Sequence, residues 1–152
     1  MSVYQIITIP DNALRVKANP VRSINAGVLR VIDNMIDTMY AYDGIGLAAT
    51  QIGINKRIIV LDSGEDGLMT VINPEIIHRE GMVTATEGCL SVPEADGVVT
   101  RAEKITVKGL DRDGQEVVYE AEGVLARIFQ HEVDHLNGVL FVDVAESLRK
   151  KE

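Results

Sequence analysis

The sequence predicts one domain that mixes helix with strand. Three observations carry this: apolar residues at helical spacing after Asn25, several short strand-like segments through the middle, and a second amphipathic helix near the C-terminal end. The 152 residues fit one sizeable core, so the expected unit is 1–152. Hydrophobic content of 46% and charged content of 25% are ordinary for a folded domain. A net charge of −8 argues against a nucleic-acid partner and against anionic membranes. No apolar run reaches the roughly 18 residues a membrane span needs. Met1-Ser2-Val3-Tyr4-Gln5 lacks the basic start and apolar stretch of a signal peptide, so a cytoplasmic location is expected. The single cysteine, Cys89, excludes an internal disulfide.

Taken in order, Val3 to Ile9 reads as a short strand stopped by Pro10-Asp11, and Leu14 to Pro20 as a turn or loop. Ser23 or Asn25 can cap a helix. Leu29, Ile32, Met35 or Ile36, and Met39 then recur at helical spacing up to Asp43-Gly44, as core scaffold. Gly44-Ile45-Gly46-Leu47-Ala48-Ala49-Thr50-Gln51 matches a dinucleotide-binding pattern, with Asp62 where a ribose-binding acid would sit. Context rejects that reading: a helix precedes the glycines, and no crossover helix fits before the strand Arg57 to Asp62. The segment is either a structural loop or backbone that approaches a ligand closely. Gln51 is its one side chain with both an amide donor and an acceptor.

Ser63 to Gly67 is an acidic turn. Met69 to Ile77 reads as a strand, and Asn73-Pro74 inside it suggests a sheet edge. His78 is expected in a solvent-facing turn. Val83 to Pro93 contains Glu87-Gly88-Cys89-Leu90-Ser91, with Cys89 expected in a Gly-flanked loop. Val98 to Arg101, the stretch around Ile105 and Val107, and Val117 to Tyr119 are strand-like. Asp111-Arg112-Asp113-Gly114 makes the hairpin turn; flanking strands exclude a calcium loop. After the second helix come a short apolar segment, Val139-Leu140-Phe141-Val142, and a polar tail from Asp143 to Glu152, expected to be helical or frayed.

The chemistry concentrates in Gln130-His131-Glu132-Val133-Asp134-His135. On a helix, residues four apart share a face, so the two imidazoles can grip one divalent metal and the Glu between them can reach a water. Val124, Ile128, His131 and His135 form one stripe. Leu125, Phe129, Glu132 and Leu136 form the next. Arg127, Gln130, Asp134 and Asn137 form a polar stripe opposite. Both histidines and the glutamate thus lie on the apolar side, where an unpartnered carboxylate is expensive. A catalytic metal needs three protein ligands and an open position. No histidine follows His135, and the only acids beyond it are Asp143, Glu146 and Glu152 in the tail. Cys89 is the only thiol, and its thiolate would be held strongly by a divalent ion. The favoured ligands are Cys89, His131 and His135.

These three stretches, Gly44 to Gln51, Glu87 to Ser91 and Gln130 to His135, together resemble peptide deformylase. The resemblance runs from Ile6-Ile7-Thr8-Ile9-Pro10-Asp11 through Gly138-Val139-Leu140-Phe141. It implies an α+β fold, with mixed or antiparallel sheets packed around the motif helix and an N-terminal helix. It implies removal of the formyl group from the N-terminal formyl-methionine of nascent polypeptides, with release of formate. It implies Fe(II) in the cell, replaceable by Zn(II) or Ni(II), and a metal-activated water with Glu132 as general base and then acid. Gln51 and the backbone N–H of Leu90 would hold the developing oxyanion. Gly46 would hydrogen-bond an extended peptide, and Ile45, Val124 and Ile128 would form the methionine pocket, with the stem of Arg127 at its margin. Asp134 and Arg101 are a candidate ion pair. Many family members carry an Arg or a bulky residue where this chain has Glu94-Ala95-Asp96-Gly97, which bears on peptide preference. The basic tail is only Arg149-Lys150-Lys151, so ribosome contact through a C-terminal helix has weak support. Two rival readings are a zinc endopeptidase ligated by Asp143 or Glu146, and a metal-dependent binding protein without catalysis.

Overall fold

The computed structural model describes residues 3–151. Helix α1 (Ala26–Ala41) begins at Asn25, whose side chain accepts a hydrogen bond from the Val28 N–H at 2.9 Å. Then follow β1 (Gly46–Ala48), a 3-10 turn (Ala49–Ile52), β2 (Ile58–Asp62), β3 (Leu68–Glu80), β4 (Val83–Cys89), β5 (Val92–Arg101), β6 (Lys104–Leu110) and β7 (Glu116–Glu122). Helix α2 (Gly123–Leu136), a short α3 (Phe141–Val144) and β8 (Ser147–Lys150) complete the order. One sheet has five strands in the order β1-β2-β3-β6-β7, and a second has three in the order β4-β5-β8. All pairings between these strands are antiparallel, as one of the two expected sheet types required.

The five-stranded sheet is covered on both faces, which explains why β2 is almost wholly apolar. Ile59, Leu61, Val71 and Val107 pack under Ala126, Phe129, Val133 and Leu136 of α2. Ile58, Val60, Ile72 and Leu47 point the other way, against Ile32, Met35 and Met39 of α1. The motif helix is therefore central and α1 is scaffold, as expected. The end of α2 is fixed by Arg57, which donates to the Leu136 carbonyl and to Asn137 Oδ1, both at 2.9 Å. Those bonds satisfy acceptors that a helix end leaves open.

Several expectations fail for physical reasons. Residues 3–9 form no strand: Ile7 N donates to the Gln51 carbonyl at 2.7 Å and Ile9 N to the Ser91 carbonyl at 3.0 Å, so the segment bridges two loops instead of joining a ladder. β3 is an interior strand, because a register shift between Ile72 and Glu75 accommodates Pro74. At that shift Asn73 has φ 54°, and its side chain holds Val21 through both N–H and carbonyl. His78 is exposed but lies in β3, paired with Thr106, and not in a turn. Cys89, expected in a Gly-flanked loop, is the last residue of β4. The tail is helical only at Asp143 and Val144, in α3, and then forms β8 on β5 where a helix or frayed end was expected; Glu152 lies outside the described residues.

Candidate metal centre

Helix α2 brings His131 and His135 to one face, and β4 ends on Cys89 opposite them. Ligand atoms of Cys89, His131 and His135 lie within 4.8 Å of one another, and Cys89 Sγ is 3.2 Å from His135 Nε2. Bonds of about 2.3 Å to sulfur and 2.0 Å to nitrogen, spread at a tetrahedral angle, span roughly 3.5 Å. The donors are therefore already at ligand spacing. Glu132 is 5% exposed and its Oε1 has no hydrogen-bond partner among the described residues. A buried, unsatisfied carboxylate oxygen beside a thiol and two imidazoles fits a divalent cation and a water. Burial is also the main force on Glu132, raising it to about 7. The same burial, reinforced by repulsion from His131 and Arg101, holds His135 well below the usual range and keeps it neutral, the form that ligates.

The support beneath this cluster is Glu87, two residues before Cys89. Its carboxylate receives Arg101 Nε and an Arg101 terminal nitrogen, each at 2.9 Å, and also Arg127. Its Oε1 is 2.8 Å from His131 Nδ1. This leaves Nε2 of His131 for a metal and fixes the ring, as a carboxylate behind a metal-bound histidine does. Burial opposes the charge on Glu87, but Arg101 and His131 outweigh it and hold the group well below the usual carboxylate range. Burial likewise opposes protonation of His131, but hydrogen bonds to Cys89 and Glu87 raise it to about 10, so a metal entering the site must displace that proton. Arg101 also bonds Asp134 at 2.5 Å, the pair expected from the sequence. Phe141 stacks on the His131 ring at 6.2 Å.

Gln51 reaches the cluster from the turn after β1. Its Oε1 accepts from Ala48 N at 2.9 Å, which turns the amide nitrogen toward Ser91 Oγ at 3.0 Å and Cys89 Sγ at 3.6 Å. Leu90 sits in the turn between Cys89 and Ser91, beside the core around α1. Gly46 has a reason the sequence hid: a Cβ there would lie 2.6 Å from Glu132 Oε2 and 2.9 Å from Ile128 Cγ2. Only glycine lets β1 pass this close to Glu132. Of the expected pocket residues, Ile128 is buried at 4% exposure, while Ile45 and Val124 are exposed at 54% and 62%.

Glu87 and Ser91 went unassigned by sequence reading, although both stand in the stretch around Cys89. Their signal was position on either side of a ligand. Gln130 was expected on the polar stripe but is buried: its amide pairs with both N–H and carbonyl of Ala102, at 3.0 and 2.9 Å. Arg127, expected at the pocket margin, is spent on Glu87 and on the carbonyls of Val99 and Val83. Asp143 bonds Arg15 and Glu146 bonds Thr100, so neither acid joins the histidines.

A thiol and two helix-borne imidazoles around a buried glutamate are a donor set that could hold a metal, as a metal-dependent hydrolase requires. Residues 3–151 match the model of the polypeptide deformylase family. A peptide deformylase of Syntrophomonas wolfei subsp. wolfei is 61% identical over 149 residues, covering 98% of this chain and 97% of the relative. One of Carboxydothermus hydrogenoformans is 54% identical over 151 residues, covering 99% of each. The crystal structure of peptide deformylase from Thermotoga maritima superposes with a TM-score of 0.93 at 44% identity, covering 97% of this chain and all of that one. The chain belongs to the polypeptide deformylase family, enzymes that remove the N-terminal formyl group from nascent polypeptides.

Proposed function

We propose that Cys89, His131 and His135 hold one divalent metal and that Glu132 moves the protons of formyl-methionine deformylation. The observation that carries this is the convergence of those three donors beside the unpartnered Oε1 of Glu132. When bound, the metal supplies a Lewis acid that makes hydroxide accessible near neutral pH and polarises a carbonyl oxygen. Glu132 takes the proton of the attacking water and returns it to the departing amine. The amide of Gln51 and the N–H of Leu90 face the charge that develops on the formyl oxygen, and losing one such donor typically lowers the rate by ~10²–10³. The donor set of thiolate and imidazole suits Fe(II), with Zn(II) or Ni(II) as replacements.

The substrate is an extended formyl-methionyl peptide. β1 and β4 are edge strands of their sheets, and both border the metal centre, so a peptide laid along Gly46 gains main-chain hydrogen bonds by strand addition. Ile128 floors a methionine pocket whose walls, Ile45 and Val124, are apolar side chains otherwise left in solvent. The whole chain acts as one catalytic unit, since both sheets and α2 contribute to the centre. Among the described residues no helix is long and apolar enough to cross a membrane. A nascent formylated chain as substrate supports a cytoplasmic location. Ribosome contact is the least supported partner reading, because Arg149 of the tail is engaged with Asp96.

The test is formate release from a formyl-Met-Ala-Ser peptide by freshly Fe(II)- or Ni(II)-loaded protein. Stoichiometric formate is expected. Bound metal without formate would refute the reading.

A further inference from the structure

Ser91 is fully buried at 0% exposure, yet its hydroxyl touches no expected ligand or reacting group. Its Oγ accepts from Gln51 Nε2 at 3.0 Å. The other end of the same amide is fixed, since Gln51 Oε1 accepts from Ala48 N at 2.9 Å. An amide has two N–H donors. With one taken by Ser91, the second is left on the side of Cys89, whose Sγ is 3.6 Å away. The two residues belong to different sheets' loops, and the N-terminal segment ties their backbones: Ile7 N donates to the Gln51 carbonyl and Ile9 N to the Ser91 carbonyl.

We propose that Ser91 is a positioning residue: its buried hydroxyl locks the flip and tilt of the Gln51 amide, so that one N–H stays aimed at the reacting carbonyl. This rests on the reading of Gln51 as an oxyanion donor. Without Ser91 the amide keeps its Ala48 bond but can swing its nitrogen away, and a donor that is not preorganised loses its effect on the rate.

A double-mutant cycle on the nickel-loaded full chain tests it. Ser91→Ala should lower kcat about tenfold, a fraction of what losing the donor outright would do, with KM changed less than about twofold. In a Gln51→Ala background the same substitution should add nothing. In 15N-labelled, zinc-loaded protein, the Gln51 side-chain amide protons should shift and exchange faster in Ser91→Ala, while the protein still unfolds in one cooperative transition. If Ser91→Ala fails to fold, Ser91→Cys, similar in bulk but a poorer acceptor, is read by the same criteria. Full kcat in Ser91→Ala while Gln51→Ala is slow overturns this proposal alone, as does an equal loss in both backgrounds. Full kcat in Gln51→Ala overturns the donor reading and this proposal with it.

Discussion

The five-stranded sheet is sandwiched between α1 and α2, and its β2 residues Ile58, Ile59, Val60 and Leu61 are all fully buried. The three-stranded sheet has a small apolar cluster around Val92, Val99 and Phe141, and it is joined to α2 through Glu87, Arg101, Arg127 and Asp134. The first sheet is held by apolar area, which is non-directional and tolerant of small errors. The second is held by charged hydrogen bonds, which are directional. The difference matters because the proposed metal centre lies on the seam. The large sheet and α2 supply His131, His135 and Glu132 on a rigid base. The small sheet supplies Cys89, and its polar ties set where the Cys89 sulfur sits relative to the imidazoles.

Substitutions can separate the two contributions. The largest effect belongs to the seam itself: Glu132→Gln should lower formate release by ~10²–10⁴ while the metal content of the protein stays that of the parent. Loss of metal would mean that Glu132 holds the site together and does not serve it. Next is the small sheet's tie. Glu87→Ala leaves Arg127 without a carboxylate, leaves Arg101 with Asp134 alone and frees the His131 ring. It should destabilise by about 3–5 kcal/mol in denaturant melts and weaken metal affinity ~10–100-fold against a competing chelator. An unchanged affinity would remove the distinction between the sheets. In the large sheet, Ile59→Val should lower stability by only about 0.5–1.5 kcal/mol and leave formate release per bound metal as it was. Smallest of all is Arg149→Ala, at the exposed pair with Asp96, for which neither the unfolding midpoint nor metal content should move.

The same contrast governs what could be read from the amino-acid order. Apolar spacing located α1 and α2, because packing on the large sheet imposes a period that the sequence must obey. The placing of Glu132 and His135 on the buried side of α2 followed from that period alone. Cys89 could be paired with them because no other thiol exists. Of the small sheet's contributions, Cys89 and the Arg101–Asp134 pair were legible, and the role of Glu87 was not. Glu87 acts through partners up to 44 residues away, and a charged residue in a strand carries no local mark of being buried. Gln130 broke the stripe pattern because its amide satisfies the backbone of Ala102, a tertiary contact that helical spacing cannot announce. Residues 3–9 looked like a strand because they are extended. Their donors go to two separate loops, so no ladder forms. β8 was missed because a short, wholly exposed strand has no apolar alternation to reveal it.

The central claim is that a ligand from the small sheet and two from α2 share one metal. X-ray absorption on the nickel- or zinc-loaded chain tests it most directly. The expected first shell contains one sulfur and two imidazole nitrogens, and the sulfur should vanish, with most of the metal, in Cys89→Ala. A first shell of nitrogen and oxygen only, or a Cys89→Ala protein that keeps its metal and its formate release, would contradict the account.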